Sequence, residues 1–134
     1  MKKIFILIDQ LHSHGGIEKL VVEKANNWSD FVGYKIKIIS TEQSNKPFVY
    51  ELSDKVNFQD LAINFHREIS FFHPKNLGKL FKNFLQMKKI IKVEKPDFIL
   101  VASHIPMTYL LPCIKNNAKI IKEFHYSKFN QPQN

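Results

Sequence analysis

Two hydrophobic rhythms alternate along this chain. Residues 4–8, Ile-Phe-Ile-Leu-Ile, are an unbroken apolar run, the pattern of a strand buried on both faces. Leu20, Val21, Val22, Ala25 and Trp28 then follow a helical period. Residues 34–40 return to strand, with Gly33 read as the helix stop and a polar loop over 41–46, which completes a β-α-β unit. Residues 56–61 read as a short edge strand, and residues 65–67 and 71–74 as loop. From Asn76, the spacing of Leu77, Leu80, Phe81, Phe84, Leu85, Met87, Ile90 and Ile91 predicts a long helix. It ends before Pro96, because a residue preceding proline is pushed out of the helical region. Residues 97–103 read as a buried strand, 106–115 as a shorter helix and 118–125 as a final strand, while 126–134 carry no pattern. The expected fold is α/β: a Rossmann-like, doubly wound parallel sheet with helices on both faces and ligands at the carboxyl ends of its strands.

The chemistry concentrates just after the first strand, at His14-Gly15-Gly16-Ile17-Glu18. Adjacent glycines let a bulky anion approach the main chain, and the unpaired N–H groups of the first helical turn point at it. Glu18 suits the positive end of the helix dipole or an ion pair. The dinucleotide fingerprint needs a third glycine and the P-loop needs Gly-Lys-Ser/Thr; neither is present. His12 and His14 lack a nearby cysteine or third ligand, so no metal site is expected.

The chain has 134 residues, 44% of them hydrophobic, which is one domain with enough apolar content for a packed core. Its single cysteine, Cys113, excludes an internal disulfide, and its apolar neighbours Leu110, Leu111, Pro112 and Ile114 suggest a buried thiol rather than a nucleophile. The N-terminal apolar run breaks at Asp9-Gln10 without a small-residue cleavage site, so it reads as a first strand and not a signal peptide. No apolar stretch approaches the roughly 20 residues that span a bilayer, and a cytoplasmic location is expected.

Twenty Lys and Arg against 12 Asp and Glu give a net charge of +8. The excess clusters at Lys75, Lys79, Lys82, Lys88, Lys89, Lys92 and Lys95, on or beside the long helix, a basic amphipathic pattern suited to acidic lipid headgroups. Phe71 and Phe72 are placed to dip into such an interface, which would put the protein at the inner face of the plasma membrane. Nucleic acid is not an expected partner: the chain has no helix-turn-helix, zinc or RNA-binding signature, and its one arginine is Arg67.

The order of these features resembles the N-terminal, acceptor-side domain of family 4 retaining glycosyltransferases with the GT-B fold. The resemblance covers most of the chain. It rests on the first strand, on Gly15-Gly16-Ile17-Glu18-Lys19 with Ala25-Asn26 further along, on residues 95–104 (Lys-Pro-Asp-Phe-Ile-Leu-Val-Ala-Ser-His), and on residues 120–125 (Ile-Ile-Lys-Glu-Phe-His). It implies transfer of a sugar, with retention, from a nucleotide-sugar donor such as a UDP- or GDP-sugar to an envelope, lipid-linked or polysaccharide acceptor, with no further cofactor and no metal. It also implies that Gly15, Gly16 and Ile17 contact the donor diphosphate with His14 beside them in the cleft, that His125 positions the transferred sugar, and that His104 lies on the acceptor side.

Residues 1–134 would then be a single N-terminal GT-B half, with the C-terminal nucleotide-sugar domain absent and supplied by a longer protein or a partner chain. The isolated chain is expected to be inactive. A last strand without its covering helix would leave one flank of the sheet exposed. The alternative reading is a noncatalytic flavodoxin-like or receiver-like binding module. A receiver needs an acidic cluster at the first strand's end and an aspartate after a later strand; only Asp9 is near the first position, and the strand at 34–40 is followed by Thr41-Glu42. A flavin site wants a hydroxyl-rich phosphate loop, and here Ser13 stands alone.

Overall fold

The computed structural model describes residues 2–12, 15–31, 33–43, 46–63, 73–102, 111–115 and 118–122. Five strands, β1 (Lys2–Leu7), β2 (Tyr34–Ser40), β3 (Asn57–Asp60), β4 (Phe98–Val101) and β5 (Lys119–Lys122), form one all-parallel sheet in the order β3-β2-β1-β4-β5. Among the described residues three helices are interleaved: α1 (Gly16–Ser29), α2 (Pro74–Glu94) and α3 (Leu111–Ile114). The expected doubly wound, Rossmann-like architecture is the observed one.

Each central strand divides its side chains between two cores, because successive residues point to opposite faces. Ile4, Ile6 and Ile8 of the β1 run join Ile36, Ile38 and Leu100 against Val21, Val22 and Ala25 of α1. Phe5 and Leu7 join Ile39, Ile99 and Val101 against Met87 and Ile91 of α2 and Leu111 and Ile114 of α3. The apolar run is continuous because β1 is the middle strand and both its faces are covered. On β5, Ile120 packs towards α2, whereas Ile121, in register with Leu100 on the α1 face, is 47% exposed. Among the described residues no helix packs on Ile121 at that face.

The helix ends follow local rules. Pro74 occupies the first turn of α2, where its missing N–H costs nothing, and the His73 side chain accepts from the Lys75 N–H at 3.2 Å. This cap starts the helix two positions ahead of Asn76. At the other end Lys95 is left-handed (φ 52°), its N–H bonds the Ile91 carbonyl, and Pro96 follows. Lys3 Nζ donates to the Glu94 carbonyl at 2.9 Å and Lys37 pairs with the Glu94 carboxylate at 2.6 Å, placing two cations at the negative end of the dipole.

Two local expectations need correction. Gly33 is not the stop of α1: the helix ends at Ser29, capped by Asp30, and Gly33 (φ 91°) supplies the left-handed turn into β2. Cys113 is exposed, not buried. The four-residue α3 turns Leu111 and Ile114 inward, one turn apart, and that leaves Pro112 and Cys113 on the outside. Residues 103–110 and 123–134, which hold the rest of the expected helix and strand, lie outside the described residues.

Candidate functional site

In an open parallel sheet the crevice forms where the strand order reverses, at the carboxyl ends of the two strands flanking the switch. Here those strands are β1 and β4, since β1 leads on to β2 on one side while β4 leads on to β5 on the other. The loop after β1 and the N-terminus of α1 stand at that point. Gly15 is the N-cap, in extended conformation with no side-chain cap, and the first helical hydrogen bond runs from the Lys19 N–H to the Gly15 carbonyl at 3.2 Å.

The two glycines are not equivalent. A Cβ built on Gly15 would collide with Oε1 of Glu18, whereas one built on Gly16 meets nothing within 4 Å. Glu18 is the third residue of the helix, the position from which a glutamate reaches back to the cap. Its carboxylate folds over Gly15, is largely buried (9% exposed), and accepts a 2.6 Å hydrogen bond from Gln10 Nε2. The positive end of α1 thus already holds an internal anion. Gly16, exposed on the outer side of the turn, is the open approach to the helix N–H groups.

The strand ends around this turn are tied into one polar framework. Gln10 Oε1 accepts from the His12 N–H at 2.8 Å, and the Leu11 N–H donates to Oε1 of the buried Gln43 at 2.7 Å. The Asp9 carbonyl accepts from the N–H groups of Thr41 (3.2 Å) and Glu42 (2.8 Å). Asp60, at the end of β3, accepts from Ser40 Oγ at 2.7 Å and from the Gln43 N–H at 3.2 Å. These bonds tie residues 9–12, 40–43 and 60 to one another at the carboxyl ends of β1, β2 and β3. Among the described residues no grouping of His, Cys, Asp or Glu side chains could hold a metal ion.

Of the residues singled out from sequence, Gly15, Gly16 and Ile17 are brought to the switch point. His14, His104 and His125 lie outside the described residues, as do Phe71 and Phe72. Asn26 proves to be a clamp for a loop: its side chain donates to the Glu51 carbonyl at 3.0 Å and accepts from the Ser53 N–H at 2.8 Å, holding the β2-to-β3 crossover against α1. Asp97 opens β4 by accepting from the Lys3 N–H at 2.8 Å. The sequence reading missed Gln10 and Gln43. Glu18 three residues after a glycine cap is a readable capping signal, whereas neither glutamine sits in any pattern.

No protein-family model matches the chain, and no curated protein matches its sequence. Fold and site together define a Rossmann-like α/β domain with a glycine-opened helix N-terminus at its topological switch point.

Proposed function

We propose that this chain is the acceptor-side half of a retaining GT-B glycosyltransferase, which moves a sugar from a nucleotide-sugar donor to a lipid-linked or saccharide acceptor. The observation that carries the reading is the strand order β3-β2-β1-β4-β5 with the Gly15-Gly16 turn and the α1 N-terminus at the switch point. When the glycosidic bond breaks, negative charge gathers on the leaving diphosphate. N–H groups already aimed at that position stabilise the transition state more than the ground state. A diphosphate reaching the turn from the Gly16 side shares the helix terminus with the Glu18 carboxylate or displaces it.

In this reading His125 positions the sugar and His104 faces the acceptor, each following the carboxyl end of its strand, β5 and β4. The nucleotide pocket belongs to a second domain or partner chain, and the isolated chain binds the diphosphate without turning over nucleotide sugar. The strand order favours this over the flavodoxin-like or receiver-like alternative, in which the third strand sits beside the first. Here β3 lies outside β2, and the strand that does flank β1 on its other side, β4, runs into Val101 and Ala102 with no aspartate.

The test is a titration of the ¹⁵N-labelled chain with inorganic pyrophosphate and with UDP. The Gly15, Gly16 and Ile17 amide resonances are expected to move first, and Gly16→Val to abolish the response while leaving the fold intact. Unmoved amides at millimolar ligand would refute the diphosphate site. Transfer activity is then assayed with the chain joined to a C-terminal donor-binding domain.

A further inference from the structure

The outer face of α2 combines two features that a helix turned only to water does not need. Its inner face buries Asn76, Asn83, Met87 and Ile91. Opposite, Leu77, Phe81 and Leu85 form a stripe at four-residue spacing and are 44%, 63% and 48% exposed. Phe81 and Leu77 join the half-buried Leu80 and Phe84 around a shallow apolar hollow. At 100° per residue Lys88 and Lys92 prolong the same stripe, with Lys82 and Lys89 along its flank, and all four are exposed. The helix carries no Asp or Glu before Glu94, and Glu94 is paired with Lys37. An apolar patch continued by unopposed cations has a specific complement: an anionic surface with an apolar interior.

We propose that α2 docks this chain onto an anionic lipid bilayer, with Leu77, Phe81 and Leu85 entering the headgroup boundary and Lys82, Lys88, Lys89 and Lys92 lying among the phosphates. The attachment is peripheral, since no helix among the described residues is long and apolar enough to cross a membrane. It stands on α2 alone and does not depend on glycosyl transfer. Its geometry has a consequence for the candidate site. Lys79 Nζ donates to the Ile63 carbonyl at 3.0 Å, just past β3, so the apolar half of α2 lies towards the carboxyl edge of the sheet, where the glycine turn is. A docked α2 holds that edge near the bilayer, within reach of a lipid-linked substrate.

Co-sedimentation of the full chain with vesicles decides this. Vesicles with about one-third phosphatidylglycerol in phosphatidylcholine are expected to carry the protein down at low salt, pure phosphatidylcholine vesicles are not, and binding weakens as ionic strength rises. Phe81→Ser with Leu85→Ser is expected to lower partitioning at least tenfold, and Lys88→Gln or Lys92→Gln about fivefold each. All four positions are exposed, so circular dichroism should report an unchanged fold. Equal affinity for both vesicle types, or binding indifferent to Phe81→Ser with Leu85→Ser, would overturn the proposal. So would self-association abolished by that double variant without vesicle binding, which would assign the face to a second copy.

Discussion

Substituting the two glycines by alanine, one at a time, separates architecture from ligand approach. At Gly16 an added Cβ meets nothing within 4 Å and the backbone is not in the left-handed region. Alanine there restricts the unfolded chain and is expected to stabilise by about 0.4–1 kcal/mol, raising Tm by about 2–4 °C. At Gly15 the Cβ falls on Oε1 of Glu18, and the carboxylate must swing away. That breaks the 2.6 Å bond from Gln10, a part-buried charge-assisted hydrogen bond worth about 1.5–3 kcal/mol, part of which solvent at the vacated position returns. Alanine is also a poorer N-cap than glycine. The net expectation is a loss of about 1–3 kcal/mol. Urea denaturation reads both: with unchanged slope, the midpoint of Gly15→Ala should fall by about 1 M while that of Gly16→Ala holds or rises. In a Glu18→Ala background the cost of Gly15→Ala should shrink to within about 0.5 kcal/mol of zero, because the colliding group is gone and the remaining cap penalty is offset by alanine's restriction of the unfolded chain. Equal losses at the two glycines, or a Gly15→Ala cost untouched by removing Glu18, would refute the reasoning.

Lys95→Gly should stabilise by about 1 kcal/mol in thermal unfolding, since the residue is left-handed at φ 52° and glycine carries no Cβ penalty there. Asn83 is 1% exposed and its Oδ1 has no hydrogen-bond partner, so Asn83→Leu, similar in volume, should be neutral or stabilising by about 1 kcal/mol in the same assay. Ile91→Ala, at a fully buried position between α2 and the sheet, should cost about 2–5 kcal/mol in urea. Cys113 should react with a thiol reagent in the native protein, one thiol per chain without denaturant; a native chain that reacts only after unfolding would contradict its exposure.

The fold was readable from sequence because the apolar code is redundant where strands are buried on both faces. Residues 4–8 read as a strand buried on both faces, and Pro96 marks the boundary between α2 and β4. Short elements were harder. One turn of α3 is too brief for periodicity to tell which of Leu111, Pro112, Cys113 and Ile114 turn inward, so the apolar neighbours of Cys113 point to the wrong side. At the site, the glycine pair and the helix start were legible as local backbone chemistry. The hold of Gln10 on Glu18, and of Gln43 on the Leu11 N–H, was not, because these contacts join positions 8 and 32 apart that only the assembled sheet brings together.

The central place of β1 also orders events in time. Of the five strands it is synthesised first, yet its second neighbour, β4, is anchored through Asp97, which lies 94 positions beyond its partner Lys3. At ribosomal speeds of about 5–20 residues per second, the most apolar segment of the nascent chain waits about 5–20 s with one edge unpaired. During that interval the Ile4, Ile6 and Ile8 face can be covered by α1 and β2, but the Phe5 and Leu7 face has no partner until α2 and β4 emerge. The earliest of these five strands is thus completed late, and factors that shield nascent apolar segments should govern the yield of this protein more than its equilibrium stability does.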